Sequence, residues 1–139
     1  GLKEMSALRR NNFIKPSIIF FIFILTVVST PILFINISLS YTKNDYIRYN
    51  IFTFEEIKGM PFISSDYKIY YDSPDGSKPM INEVFFFNTT SDKKSALVNY
   101  IESIGFQRSG EDLWIKNKKT ASIKRNDAEN TISISIEKN

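Results

Sequence analysis

The feature that most constrains this chain is an uncharged, strongly apolar segment near its N-terminus. Residues 16–42 contain no Asp, Glu, Lys or Arg, and sixteen of the side chains within residues 17–39 are Ile, Leu, Val or Phe. At ~1.5 Å per residue, a helix over 17–39 is about 34 Å long, enough to cross the ~30 Å hydrocarbon core of a bilayer. Inserting the sixteen apolar side chains contributes roughly −5 to −10 kcal/mol. Residues 17–39 are therefore predicted to form a transmembrane helix.

A cleavable signal peptide is the alternative interpretation of the same segment. It would have its apolar region at residues 17–28 and a cleavage site at Val27-Val28-Ser29. The apolar run continues well beyond that site, through residues 32–35 to Leu39. Cleavage would leave the mature domain with an exposed apolar extension, so an uncleaved signal anchor is favoured.

The charges that flank the segment predict its orientation. Residues 1–16 form a basic tail with four Lys or Arg and one Glu, whereas the first fifteen residues beyond the span hold two basic side chains. The positive-inside rule therefore predicts that the tail lies in the cytoplasm. Residues 40–139 would then lie outside the cell (inner or plasma) membrane.

The same charge distribution argues against a nucleic-acid partner. The net charge of the chain is +3. All of it belongs to the N-terminal region, because residues 40–139 contain fourteen basic and fourteen acidic side chains. The high isoelectric point thus reports membrane topology and not a basic binding face.

Two missing residue types limit the possible chemistry. The chain has no Cys and no His, which excludes thiol nucleophiles, disulfides, Ser-His-Asp triads and the usual zinc sites. No catalytic, cofactor-binding or metal-binding constellation is predicted, no cofactor is expected, and the chain is not expected to be an enzyme. The acidic residues Asp66, Asp72 and Asp75 are the alternative, as carboxylates for acid–base chemistry or ion binding. Asp75-Gly76, however, is typical of a turn.

Residues 40–65 are predicted to be a juxtamembrane linker with one short helix. Thr53-Phe54-Glu55-Glu56 matches a capping box, and Gly59 would end the helix. Aromatic side chains are concentrated in this stretch, and Tyr41 suits the aromatic belt at a membrane surface.

Residues 66–139 are predicted to form an extracytoplasmic domain. Apolar and polar residues alternate over 67–72, which predicts a strand. Residues 81–87 follow, and their run Val84-Phe85-Phe86-Phe87 is apolar on both faces, which predicts a central strand covered on both sides. A single apolar stripe over 92–104, followed by Gly105, predicts the main helix. Further strands are predicted over residues 106–109, 112–117, 120–125 and 131–137.

The predicted fold class is α+β, with one N-terminal transmembrane helix before a small domain. In that domain one main helix packs on a mostly antiparallel sheet of four to six strands, because short polar turns join the later strands.

Two groups of side chains are candidates for binding a partner. The first comprises the aromatic residues Tyr46, Tyr49 and Phe52, which would either line a groove for a partner or dock the linker onto the domain. The second comprises Trp114, Lys116, Lys118 and Lys119. These lysines, with Lys124 and Arg125, would form a basic hairpin beside Trp114 that faces an acidic partner surface or anionic lipid. A solvated hairpin with protective lysines is the simpler alternative for the second group. Trp114 is either an exposed hot spot or a core residue, and its apolar neighbours favour the core.

These observations lead to one preferred function and two alternatives. The preferred hypothesis is a single-pass, membrane-anchored protein whose exported domain binds another envelope protein in an accessory, regulatory or inhibitory role. Its expected partners are the lipid bilayer and that protein. The alternatives are an immunity protein against a bacteriocin or toxin, and an envelope enzyme that uses carboxylates alone.

Overall fold

The structure is a computed structural model that describes residues 15–28, 37–73 and 79–139. The chain divides into two compact units, with the division between residues 35 and 36. In the first unit, residues 15–28 form helix α1. Across the described ranges, no helix combines the length and the apolar character that crossing a membrane requires.

The predicted transmembrane segment 17–39 differs from the structure at its C-terminal end. Residues 29–36 lie outside the described residues, as do residues 1–14 of the predicted tail. Residues 37–39 are not helical, because they belong to strand β1 (Ile37–Tyr41). In β1 the apolar residues alternate with Ser38 and Ser40, a period-two pattern that a sum of hydropathies does not detect.

The second unit contains one seven-stranded sheet. Its strands lie in the order β1-β2-β3-β7-β6-β5-β4, and every neighbouring pair is antiparallel. The other strands are β2 (Tyr67–Ser73), β3 (Met80–Phe86), β4 (Gln107–Arg108), β5 (Leu113–Lys116), β6 (Lys119–Asn126) and β7 (Thr131–Lys138). The helices are α2 (Tyr46–Phe52), α3 (Glu55–Lys58) and α4 (Lys94–Ser103), and a 3₁₀ turn over Ser91–Lys93 precedes α4. An α+β domain with its main helix on an antiparallel sheet is confirmed, and β1 raises the strand number above the four to six predicted.

The core lies between α4 and one face of the sheet. On β3, Asn82, Val84 and Phe86 alternate toward this side, and all three are buried. Leu97 and Ile101 of α4 are also fully buried in this core. Burying a large aliphatic side chain contributes about 1.5–3 kcal/mol, so this packing stabilises the domain most.

The end of α4 follows the predicted signal. Gly105 adopts φ +100°, which a glycine accepts without strain. The Gly105 N–H donates to the Glu102 carbonyl oxygen (3.1 Å), and the Phe106 N–H donates to the Ile101 carbonyl oxygen (3.2 Å). These two bonds form a Schellman motif that satisfies carbonyls of the last turn.

Residues 40–65 are part of the folded domain, which corrects their prediction as a linker. Tyr41 is 1% exposed, so it does not belong to a membrane-surface belt, and Ile57 of α3 is also fully buried. The hydroxyl groups of Tyr41 and Thr53 form a hydrogen bond of 2.9 Å.

The predicted capping box is also wrong, because the Thr53 side chain is buried in the folded domain. The N-cap of α3 is Phe54, with no side-chain cap. The Thr53 hydroxyl, which the box would have used, is instead bonded to Tyr41 in the core. The Phe54 N–H donates to Asn82 Oδ1 (2.9 Å), so a side chain from β3 holds the start of α3.

The prediction that residues 81–87 are covered on both sides is half wrong. This segment includes β3, which lies between β2 and β7 as expected of an interior strand. The side chains of Glu83 and Phe85 point away from the core and are only partly buried. The face to which they belong has no helix from residues 37–73 or 79–139 packed on it.

Candidate functional site

The face of the sheet opposite α4, here called the open sheet face, is the candidate site. Its side chains alternate with the core residues along each strand, and none of them belongs to the buried core. They are Ser38, Ser40, Lys68, Tyr70, Asp72, Ile81, Glu83, Phe85, Leu113, Ile115, Thr120, Ser122, Lys124, Ser133, Ser135 and Glu137.

Small hydroxyl side chains make up much of this face. In strand order, one register row contains Ser40, Tyr70, Glu83, Ser135, Ser122 and Leu113. The next row contains Ser38, Asp72, Ile81, Glu137, Thr120 and Ile115. Serine and threonine do not fill the space that larger neighbours enclose, so depressions form between them.

An aromatic pair stands between two of these depressions. The rings of Tyr70 and Phe85 pack edge to face, with centroids 5.4 Å apart and planes at 85°. Both rings line a concavity of about 510 Å³ formed by β1, β2 and β3, here called the β1–β3 groove. Both also line a second concavity, of about 490 Å³, together with Lys124 and Arg125 of β6. Tyr70 remains 40% exposed, so its ring is available to a ligand.

Glu83 lies in the middle of the open sheet face. Burial raises the pKa of its carboxyl group, and the charge of Lys124 offsets this effect in part. Within residues 37–73 and 79–139, this carboxylate makes no hydrogen bond and no ion pair, and the charge of Lys124 acts on it from beyond ion-pair distance. Asp72, which also lines the β1–β3 groove, does have a partner, because the Ser38 hydroxyl donates to Asp72 Oδ1 (3.0 Å).

Glu56 on the covered side of the sheet has the opposite environment. Its carboxylate is contacted by Lys119 Nζ at 2.8 Å and by Lys138 Nζ at 3.3 Å. Burial acts to raise the pKa of Glu56, but the hydrogen bond from Lys119 and the charge of Lys138 lower it on balance. These ion pairs join α3 to β6 and β7, so Glu56 has a structural role.

The predicted aromatic candidates separate in the structure. Tyr49 and Phe52 are partly buried against the core, whereas Tyr46 on the same helix is 76% exposed. Trp114 is 1% exposed, and its Nε1–H donates to Glu102 Oε1 (3.2 Å). The core interpretation of Trp114 is therefore confirmed, and its side chain is not available to a partner.

The predicted basic candidates do not form one surface. Lys116 Nζ donates to the Ile104 carbonyl oxygen (2.6 Å) at the C-terminus of α4, where a cation also stabilises the helix dipole. Lys119 is engaged with Glu56, as described above. Of the three lysines, only Lys118 is exposed in the part of the chain that the structure describes, with no ion-pair partner there.

Two exposed residues beside Tyr46 were not predicted as candidates. Ile47 is 69% exposed and Ile51 is 67% exposed. The i, i+4 spacing of these isoleucines, with Tyr49 and Phe52 on the opposite side of α2, is the signal that places them on one outward face. They form a small apolar patch on α2.

The acidic residues predicted as alternative catalytic groups are dispersed. Asp66 accepts a hydrogen bond from Asn88 Nδ2 (2.6 Å), and Asp72 is held by Ser38. Asp75 lies outside the described residues. Among residues with a described position, no group of three or more His, Cys, Asp or Glu side chains could hold a metal ion. Asp66 and Asp72 thus do not form the carboxylate pair that the sequence suggested as an alternative.

Comparisons of this chain with models of protein families, with curated proteins and with solved structures found no match.

Proposed function

We propose that this chain is a single-pass, membrane-anchored protein whose exported domain binds another protein of the cell envelope. The observation that carries the binding part is the open sheet face, where an aromatic pair lines two concavities and the carboxylate of Glu83, with no ion pair among the described residues, lines one of them. Binding sites typically combine apolar side chains with a few polar groups in this way.

The anchoring part rests on the apolar sequence. Residues 16–42 lack charge, and the ten large apolar side chains of α1 from Ile18 to Val28 are each exposed by 43–66%. Because they follow one another along the chain, they occupy every side of the helix. Such a surface is unfavourable in water and favourable in lipid. The proposed orientation keeps the N-terminus in the cytoplasm and the second unit outside.

Site-specific photocrosslinking in intact membranes tests the binding part. A photoreactive phenylalanine analogue replaces Tyr70 on the open sheet face, and in a matched control it replaces Asn99, which is exposed on α4. We expect a discrete protein adduct from position 70 and none from position 99. Equal labelling from both positions, or no protein adduct from position 70, contradicts the proposal.

A fusion reporter tests the orientation. A reporter that is active only outside the cytoplasm should work when it is joined after residue 139. Activity of a cytoplasm-only reporter at the same position would contradict the proposed topology.

A further inference from the structure

The charge of the β1–β3 groove has one sign. Asp72 and Glu83 are the charged residues that line it among those the structure describes, and both are acidic. The basic residues Lys68 and Lys124 face the same side of the sheet, but they lie in the adjacent register row, paired across the strands with Phe85 and Ser133. Glu137 of β7, another acidic residue, is paired across the strands with Ile81 of the groove. The charge of Lys124 reaches Glu83, but both charged residues that line the groove are acidic, so its lining favours a positively charged group over an anion.

The aromatic pair offers a second attraction for a cation. A cation over an aromatic ring gains about 0.5–2 kcal/mol, depending on how far it is desolvated. The described residues make this contact three times, with Lys43 Nζ 3.6 Å from the centre of the Phe62 ring, Lys138 Nζ 4.2 Å from that of Phe54 and Arg108 Cζ 5.7 Å from that of Trp114. The exposed ring of Tyr70 can make the same contact with a cation from outside the domain.

Among the described residues, Glu83 has no cation within ion-pair distance, unlike two other partly buried carboxylates of this domain. Glu56 is paired with Lys119 and Lys138, and Asp112 with Lys94 Nζ at 2.7 Å. Burying a carboxylate without a partner costs free energy that a cation supplied from outside recovers. The position of Glu83 at the edge of a concavity makes that carboxylate accessible to such a cation.

The dimensions of the groove suit a long side chain. Its volume of about 510 Å³ accommodates a few residues of a peptide and falls within the usual range for ligand sites. The groove is bounded on one side by β1, the edge strand, where Ser38 and Ser40 have small side chains. An extended segment can therefore enter the groove across β1. The aliphatic stem of a lysine or arginine would then lie against Ile81 and Tyr70 while its charged end reaches Glu83.

We propose that the β1–β3 groove binds a lysine or arginine side chain on an extended segment of the partner polypeptide. This inference rests on the proposed function, since it names the chemistry of the partner at the same face. The occupant is a different chain, because the basic residues of this chain's own N-terminal tail lie across the membrane in the proposed topology.

Peptide titration of the full chain in lipid nanodiscs tests the proposal by NMR. The probe is a short extended peptide with one central lysine between leucines, and its matched control has norleucine at that position. We expect the lysine peptide to shift the amide signals of Tyr70, Glu83 and Phe85 and to bind about tenfold more tightly than the control. Equal affinity of the two peptides would overturn the role of the cation.

Two variants assign the binding to the groove. Glu83→Gln preserves the shape of the side chain and should weaken binding of the lysine peptide about tenfold, whereas Glu111→Gln, in an exposed turn away from the open sheet face, should not change its affinity. Tyr70→Leu provides a second variant that removes the ring but keeps an apolar side chain, and it should also weaken binding. Unchanged affinity in both groove variants would refute the site.

The outcomes also separate this inference from the proposed function. An adduct from position 70 that persists in Glu83→Gln would show a partner that does not use the carboxylate, and only this inference would fail. If lysine amide alone bound as tightly as the peptide, the ligand would be a small amine, and the polypeptide partner would be excluded. Loss of the adduct in Glu83→Gln supports the proposal.

Discussion

On β3, Val84 and Phe86 point toward α4 and are fully buried, whereas Glu83 and Phe85 point the other way and remain partly exposed. The same contrast extends across the sheet. The covered face carries Ile132, Ile134 and Ile136 from β7 with the other core residues, while the open face of that strand carries serines. The sequence of one strand therefore meets two different requirements, which are packing on one side and contact with the surroundings on the other.

The two half-buried glutamates make the contrast sharper. Glu56 on the covered side has two lysines within ion-pair distance, and Glu83 on the open side has none at that distance among the described residues. A paired carboxylate is what stability alone favours. A carboxylate left without a partner lowers stability, and such positions are common where a protein binds another molecule. The difference between the two glutamates is one reason why we propose the open sheet face as the binding surface.

The largest expected effect comes from truncating the covered face. Phe86→Ala should lower the free energy of unfolding by about 3–5 kcal/mol, because it leaves a cavity in the core. The matched variant Phe85→Ala, on the open face, should lower it by only about 1 kcal/mol, through lost contact with Tyr70. Urea unfolding of the full chain, followed by the fluorescence of the buried Trp114, measures both. Equal losses of unfolding free energy in the two variants would mean that the open face is also covered, and the contrast between the two faces would not hold.

The intermediate effect concerns the paired glutamate. Glu56→Gln should lower the free energy of unfolding at neutral pH by about 1.5–3 kcal/mol, because Lys119 and Lys138 lose a charged partner. Glu55→Gln is the control, since the Glu55–Lys58 pair is 3.5 Å long with the glutamate 85% exposed, and it should cost less than about 0.5 kcal/mol.

The pH dependence of this loss follows from the lowered pKa of Glu56. The folded state releases the proton more readily than the unfolded chain, so the stabilisation is present above the unfolded pKa. It disappears as the pH falls through the folded pKa. The difference between wild type and Glu56→Gln, measured by urea unfolding, should therefore shrink in acid. A difference that is constant with pH would contradict the ion pairs.

Local patterns were sufficient for much of the fold. The alternation over residues 131–137 gave β7, and the apolar stripe followed by Gly105 gave α4, because both depend on neighbours within a few residues. Strand β1 was not predicted, because its Ile, Leu and Tyr residues continue an apolar run that hydropathy alone assigns to a single helix.

The candidate site was less accessible to sequence reasoning, because it depends on distant contacts. Val84-Phe85-Phe86-Phe87 is apolar on both faces, and nothing in these four residues says that only one face receives a helix. The roles of Lys116 and Lys119 likewise depend on where α4 ends and where α3 packs, through contacts 12 and 63 residues apart. Of the three lysines predicted as candidates in the basic hairpin, Lys116 and Lys119 thus make structural contacts and Lys118 is exposed.

The smallest and most specific expected effect is that of Glu83→Gln on the free energy of unfolding, and its sign is opposite to that of Glu56→Gln. Burial raises the pKa of Glu83, so its folded form binds the proton more tightly than the unfolded chain does. Stability should therefore fall as the pH rises from the unfolded pKa through the folded one, and at neutral pH the ionised carboxylate destabilises the domain. The charged groups around it are Asp72 and Lys68 of β2, Lys124 of β6 and Glu137 of β7. Glu83→Gln should raise the free energy of unfolding at pH 7 by less than about 1 kcal/mol and have no such effect in acid, while Glu129→Gln changes neither. Thermal unfolding of the full chain at both pH values measures the difference. A loss of stability in Glu83→Gln at pH 7 would mean that the carboxylate has a stabilising partner, and the contrast between the two glutamates would disappear.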